Sequence, residues 1–245
     1  MTNTANDKLI VALDLETARE ALEMFERLRE TVNLFKIGSQ LFTAAGPQVV
    51  REIVRRGGHV FLDLKFHDIP NTVAAASVEA ARLGVWMLNV HALGGRAMMK
   101  RALERVAEVS EREGITRPRL IAVTVLTSAD AATLADVGIR SESLEQAVLL
   151  ARLAADCGLD GVVASPHEVL RLRETFKRSD FLIVTPGVRP KGSAHDDQKR
   201  VMTPAEAVSA GADYLVTGRA ILNAPDPARA AREICEEMKL AAEIR

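Results

Sequence analysis

Short apolar runs alternate with longer charged, alanine-rich stretches along the whole chain. The runs are KLIVALD (8–14), LFKIG (34–38), HVFLDLK (59–65), WMLNVHA (86–92), RLIAVTVL (119–126), GVVASP (161–166), FLIVTP (181–186) and YLVTG (214–218). They are mostly continuous rather than alternating in polarity, the pattern of strands buried on both faces of a parallel sheet. Between them, ETAREALEMFERLRE (16–30) and SLEQAVLLARLAADCG (143–158) repeat apolar residues at i, i+3, i+4 and i+7, which predicts amphipathic helices. Gly57, Gly84, Gly158 and Gly211 stand where helical stretches stop.

Taking Asp14, Lys36, Lys65, His91, Leu126, Ser165, Thr185 and Gly218 as strand ends, successive ends lie 20 to 39 residues apart. Each interval holds one strand–helix unit. Eight such units in 245 residues match a closed (β/α)₈ barrel, one catalytic domain over residues 1–245. An open doubly wound sheet is the rival, but no G-x-G-x-x-G follows the first strand. No linker, repeat or low-complexity tract divides the chain.

Composition narrows the partners. Lys+Arg 32 against Asp+Glu 33 leaves a net charge of −1, without the basic surplus of a nucleic-acid binder. No run reaches the ~18 apolar residues of a membrane span, and the first ten residues lack the apolar stretch of a signal peptide. Cys157 and Cys235 have neither metal-ligand spacing nor the density of a disulfide scaffold. We expect a cytoplasmic protein that engages neither membrane nor nucleic acid.

Barrel enzymes carry their chemistry where strands end. That rule selects Asp14 after strand 1, Lys36 in strand 2, Asp63 and Lys65 at the end of strand 3, and Asp68 in the loop before Pro70. Asp63 and Lys65, two apart, are expected on one face of their strand, with Leu64 turned to the helices. Phe35 and Ile37 likewise turn outward and leave Lys36 inward. Buried charges are costly unless paired, so such a group reads either as a structural ion-pair network or as reaction machinery. A second group reads as an anion site. TPGVRP (185–190) opens a long loop to Met202 that holds Arg189, Lys191, Gln198, Lys199 and Arg200, and strand 8 ends in Gly218-Arg219. Loops after strands 7 and 8 commonly bind phosphate in this fold; the alternative is a solvated loop with ordinary charges. His67, His91 and Asn89 rank lower, as do Thr127 and Ser128 after strand 5. No histidine–carboxylate set has metal-ligand spacing, and no G-x-S-x-G elbow or Cys–His pair is present.

The block Asp63-Leu64-Lys65-Phe66-His67-Asp68-Ile69-Pro70-Asn71-Thr72 resembles the signature of the orotidine 5′-monophosphate decarboxylase family. So do Ala12-Leu13-Asp14, Phe35-Lys36-Ile37-Gly38, Val125-Leu126-Thr127-Ser128, Thr185-Pro186-Gly187-Val188-Arg189-Pro190 and Val216-Thr217-Gly218-Arg219, from about residue 8 to 235. The resemblance implies decarboxylation of orotidine monophosphate to uridine monophosphate (UMP) without metal or cofactor, the last step of de novo UMP synthesis. It implies that Lys65 protonates C6, and that Asp63, Lys36 and Asp14 hold that lysine and the ribose. Thr127 would recognise the pyrimidine edge. Arg189, Gln198, Gly218 and Arg219 would take the phosphate, and Pro186 would contact the substrate. Asp68 and Thr72 would enter the partner's site in a homodimer. Sugar-phosphate enzymes of the same superfamily, hexulose-phosphate synthases and ketogulonate-phosphate decarboxylases, share the Asp-x-Lys-x-x-Asp pattern but work through an enediolate on magnesium. The long strand-7 loop and the Leu126-Thr127-Ser128 element favour the pyrimidine enzyme. A non-catalytic barrel that binds phosphate ligands is the alternative from another class.

Overall fold

The computed structural model describes residues 8–177, 180–189 and 202–243. Eight parallel strands close into a barrel in chain order: β1 (Leu9–Ala12), β2 (Leu34–Gly38), β3 (His59–Phe66), β4 (Met87–His91), β5 (Arg119–Val123), β6 (Gly161–Val163), β7 (Leu182–Pro186) and β8 (Tyr214–Thr217). Pairing of Leu9 with Leu215 and Val11 with Thr217 closes the ring. Seven strands fall within an apolar run of the sequence, and β3 runs one residue past its own, to Phe66.

Around the barrel lie α1 (Ala18–Leu28), α2 (Ser39–Ala45), α3 (Gln48–Arg55), α4 (Pro70–Arg82), α5 (Gly95–Glu113), α6 (Ala131–Asp136), α7 (Ser143–Asp156), α8 (Pro166–Thr175), α9 (Pro204–Ala210), α10 (Arg219–Leu222) and α11 (Pro227–Glu243). Local chemistry sets their ends. In α1 the Thr17 hydroxyl accepts from the Glu20 N–H, and the Glu20 carboxylate reaches back to the Thr17 N–H, a reciprocal cap. Ala21, Met24, Phe25 and Leu28 form its buried stripe. Gly211 ends α9 in the left-handed region at φ 112°, which a side chain would strain.

Strand alternation divides the apolar side chains between two packed regions. Phe35, Ile37, Leu62, Leu88, Leu120 and Leu215 pack outward under the helices, while Ile10, Phe61, Met87, Ile121, Val184 and Tyr214 fill the barrel. Below them Trp86 meets Tyr214 edge-on at 5.2 Å, and the Arg119 guanidinium lies over Trp86. The same device recurs at two strand starts. Asp160 accepts the Leu120 N–H at 2.7 Å and pairs with Arg117; Asp213 accepts the Ile183 N–H at 2.7 Å and pairs with Arg173. The floor is therefore tied by carboxylates and the middle is apolar. The interior positions at the opposite rim carry the charges.

Candidate active site

Four charged side chains at the C-terminal rim alternate in sign. Asp14 Oδ1 lies 2.9 Å from Lys36 Nζ, Lys36 Nζ 3.6 Å from Asp63 Oδ2, and Asp63 Oδ1 2.7 Å from Lys65 Nζ. The two inner groups are nearly enclosed, with 11% of the Lys36 side chain and 14% of the Asp63 side chain exposed; the outer Asp14 and Lys65 are 51% and 38% exposed. Burial pushes the Asp63 carboxyl up, but Lys36, Lys65 and a hydrogen bond from Asn89 together outweigh it and hold the group below the ordinary carboxylate range. Gly38 makes room for this row, because a Cβ there would lie 3.1 Å from Lys36 Nζ.

Asp63 and Lys65 meet as expected, but not on a regular strand. The β3–β4 register shifts between Leu62 and Phe66, and Lys65 adopts φ 51°. It is the one residue other than glycine in the left-handed region among the described residues. Leu64 packs against the outer core. Beside Lys65, His67 and His91 stack at 5.3 Å. Burial, then the neighbouring His67 and Lys65, push His91 down to about 4, and its Nδ1 accepts the Leu93 N–H, so the ring is neutral at pH 7. Sequence reasoning ranked Asn89 and His91 second; nothing in periodicity distinguishes a fully buried asparagine that holds a carboxylate from one that is merely tolerated.

A pocket of about 170 Å³ opens beside the row, lined by Asp14, Lys36, Gly187, Arg189, Gly218 and Arg219 among others. It joins the ends of β1, β2, β7 and β8, so Asp14 and Lys36 share one concavity with the expected phosphate residues, and Asp63 and Lys65 continue the row from Lys36. Gly187 turns the chain at φ 80°, and the Arg189 N–H donates to the Met202 carbonyl, which pins the two ends of the strand-7 loop. Pro186 ends β7. Gln198, like Lys191, Lys199 and Arg200, lies outside the described residues.

The remaining described residues of the expected site make no hydrogen bond or ion pair with the row within their own chain. Asp68 is exposed, its Oδ1 accepting the Ile69 N–H, and Thr72 is exposed in the first turn of α4. Thr127 is exposed on the loop after β5, and Leu126 and Ala129 close a turn around it. A larger depression of about 220 Å³ lies between α4 and α5 and contains none of the charged row. Among the described residues, no group of three or more His, Cys, Asp or Glu side chains is placed to hold a metal ion, and no helix is long and apolar enough to cross a membrane.

A closed (β/α)₈ barrel with a lysine–carboxylate row and a glycine–arginine strand end at one mouth defines a barrel of the kind that acts on small phosphorylated substrates. The family model of the Orotidine 5′-phosphate decarboxylase / HUMPS family matches residues 7–234, and the chain belongs to that family. Orotidine 5′-phosphate decarboxylase of Syntrophotalea carbinolica is 55% identical over 239 residues, 98% of each chain. That of Geobacter sulfurreducens is 56% identical over 234 residues, 96% of this chain and 97% of the relative. Among solved structures, orotidine 5′-phosphate decarboxylase of Lactobacillus acidophilus superposes with a TM-score of 0.83 at 38% identity, covering 94% of this chain and 98% of that one.

Proposed function

We propose that the chain decarboxylates orotidine 5′-monophosphate to UMP and carbon dioxide, as one catalytic unit and without a cofactor, in the last step of de novo UMP synthesis. The observation that carries this reading is the Asp14–Lys36–Asp63–Lys65 row, whose Asp14 and Lys36 line the same pocket as Gly218 and Arg219. The bond from C6 to the carboxylate breaks, and its electron pair remains on C6 as a vinylic carbanion with no conjugated sink. The protein must supply cationic charge where that pair develops, and then a proton. Lys65, the outer cation of the row, does both: a proton passes from Nζ to C6, and solvent later restores it. Asp63 fixes Lys65, Lys36 links Asp63 to Asp14, and Asp14 accepts from a ribose hydroxyl. Gly218, Arg219, Arg189 and Gln198 take the phosphate, Pro186 contacts the substrate, and Thr127 takes the pyrimidine edge.

Asp68 and Thr72 serve the neighbouring site of a two-fold dimer. Exposed apolar side chains on the same rim support this: Ile69 is 67% exposed, Leu93 46% and Leu126 43%, on the loops after β3, β4 and β5. A contact through them buries apolar surface and carries Asp68 across a reciprocal interface. Two unpaired, buried cysteines fit the reducing cytosol, where we place the protein.

Turnover of orotidine monophosphate, followed as loss of ultraviolet absorbance with and without a chelator, tests the reading. Equal turnover in both is expected. No turnover, or activity only on a sugar phosphate with magnesium, would overturn it.

A further inference from the structure

The strained lysine has an unusual support. Leu62 of β3 pairs with Leu88 of β4, and the next pair is Phe66 with Val90. Three residues, Asp63, Leu64 and Lys65, therefore stand opposite one, Asn89. A bulge of this kind leaves backbone groups without ladder partners. Asn89 supplies one such partner from its side chain. Its Oδ1 accepts the Lys65 N–H at 2.8 Å, and its Nδ2 donates to Asp63 Oδ1 at 2.7 Å, the oxygen that also pairs with Lys65 Nζ. Only the amide nitrogen can donate to a carboxylate, so both ends of the Asn89 side chain are fixed by chemistry. Asn89 is fully buried, and its own backbone is held in register on the far side, opposite Ile121 of β5.

We propose that Asn89 is the positioning residue of this site. It holds the bulge that puts Lys65 in the left-handed region and fixes the carboxylate that aims the Lys65 ammonium. The inference rests on Lys65 being the proton donor. The Asn89 side chain bonds to Lys65 and Asp63 of the row, so its effect belongs to the chemical step rather than to substrate capture. The conformation it holds costs of order 1–2 kcal/mol for a residue with a Cβ, and such a conformation persists only while its surroundings impose it.

Two variants separate the two halves of the clamp. Asn89→Leu keeps the volume and loses both hydrogen bonds. An ångström of misplacement costs about 10² in rate, so kcat should fall by about that factor while KM and UMP affinity stay within about three-fold. Hydrogen exchange at the Lys65 amide should quicken. Asn89→Asp keeps the acceptor for the Lys65 N–H but sets a second carboxylate against Asp63, which already faces Lys36 and Lys65, with Asp14 behind Lys36 and His67 and His91 beyond Lys65. Two carboxylates at that distance cannot both ionise readily, so they share a proton at lower pH. The shared proton then replaces the amide hydrogen. The expected signature is slow Lys65 exchange, with turnover relative to wild type rising by about ten-fold from about pH 8 to about pH 5.5. A purely structural asparagine would give no such inverted profile, and this variant carries the test if Asn89→Leu does not fold. Asn89→Leu turnover within about three-fold of wild type, or a flat relative profile for Asn89→Asp, would overturn the proposal. Lys65→Ala distinguishes this from failure of the underlying reading. An inactive Lys65→Ala beside a fully active Asn89→Leu removes the Asn89 role alone, whereas an active Lys65→Ala removes both.

Discussion

Replacing Lys36 with methionine removes a charge and keeps the length of the side chain. In the folded protein Lys36 Nζ is 3.6 Å from the Asp63 carboxylate, with both groups largely enclosed. At an effective dielectric near 20, such a pair attracts by about 4–5 kcal/mol. Removing Lys36 also removes its own desolvation cost, so the net loss is smaller. Breaking one side of a buried pair costs roughly 3–5 kcal/mol, and Lys65 and Asn89 still contact Asp63, so we expect a loss near 3 kcal/mol at neutral pH. For a barrel of this length that is a fall of about 6–12 °C in Tm. The pH dependence tests the cause. In the wild type the folded Asp63 carboxyl lies below its ordinary range, with Lys36 the first of the groups that lower it and burial the opposing effect. Its stabilising contribution is thus present above the unfolded pKa of about 3.9 and fades as pH falls through the lower folded value. Without Lys36 the carboxyl loses the largest of the effects that lower it, so its folded pKa moves up from the wild-type value. Protonation on acidification then costs the variant less stability than it costs the wild type. Melting curves at several pH values should therefore show the gap between the two proteins widest near neutrality and narrowing on acidification. A gap independent of pH, or a Tm at pH 7 within about 2 °C of wild type, would refute the electrostatic argument.

Arg219→Ala should weaken UMP binding by roughly 1.5–3 kcal/mol, the range for a charge-assisted contact, measured by titration calorimetry. Orotidine lacking the phosphate should lose far more in kcat/KM than that one contact, because remote binding energy closes the site; near-equal turnover of nucleoside and nucleotide would count against the phosphate assignment. At the opposite end of the barrel, Asp160→Ala leaves the Leu120 N–H unpaired and should cost about 1–3 kcal/mol in stability, read from Tm, with kcat unchanged. Finally, Lys65→Ala and Asp68→Ala, each inactive alone, should recover roughly a quarter of wild-type activity when subunits exchange, because half the dimers are mixed and each holds one site free of both lesions. No recovery would mean that Asp68 serves its own subunit.

What the sequence disclosed and what it withheld divide along a physical line. Burial on both faces leaves an apolar run in the sequence, so all eight strands and their order were legible, and the charged residues at their ends stood out because a buried strand otherwise excludes them. Side-chain alternation correctly put Lys36 inward and Leu64 outward. The same rule gave the right outcome for Asp63 and Lys65 through the wrong backbone, because alternation assumes an unbroken ladder and this one is broken. A bulge is a relation between two strands: three residues of β3 are opposed to one of β4, and neither strand's polarity pattern records that count. A lysine at φ 51° is legible even less, since nothing in its own neighbourhood favours the left-handed region; the conformation is imposed by Asn89, 24 residues further along the chain. The clamp and the strain explain each other only in three dimensions. Lys65 could pair with Asp63 from a regular strand, two residues away on the same face, and would need neither a bulge nor a buried amide. That the chain instead bears the strain, and spends a fully buried asparagine to hold it, argues that a salt bridge alone does not fix the ammonium where the reaction requires it. The precision of that one cation is what the local departure from barrel geometry secures, and the apolar interior and the tied floor supply the stability that lets the departure persist.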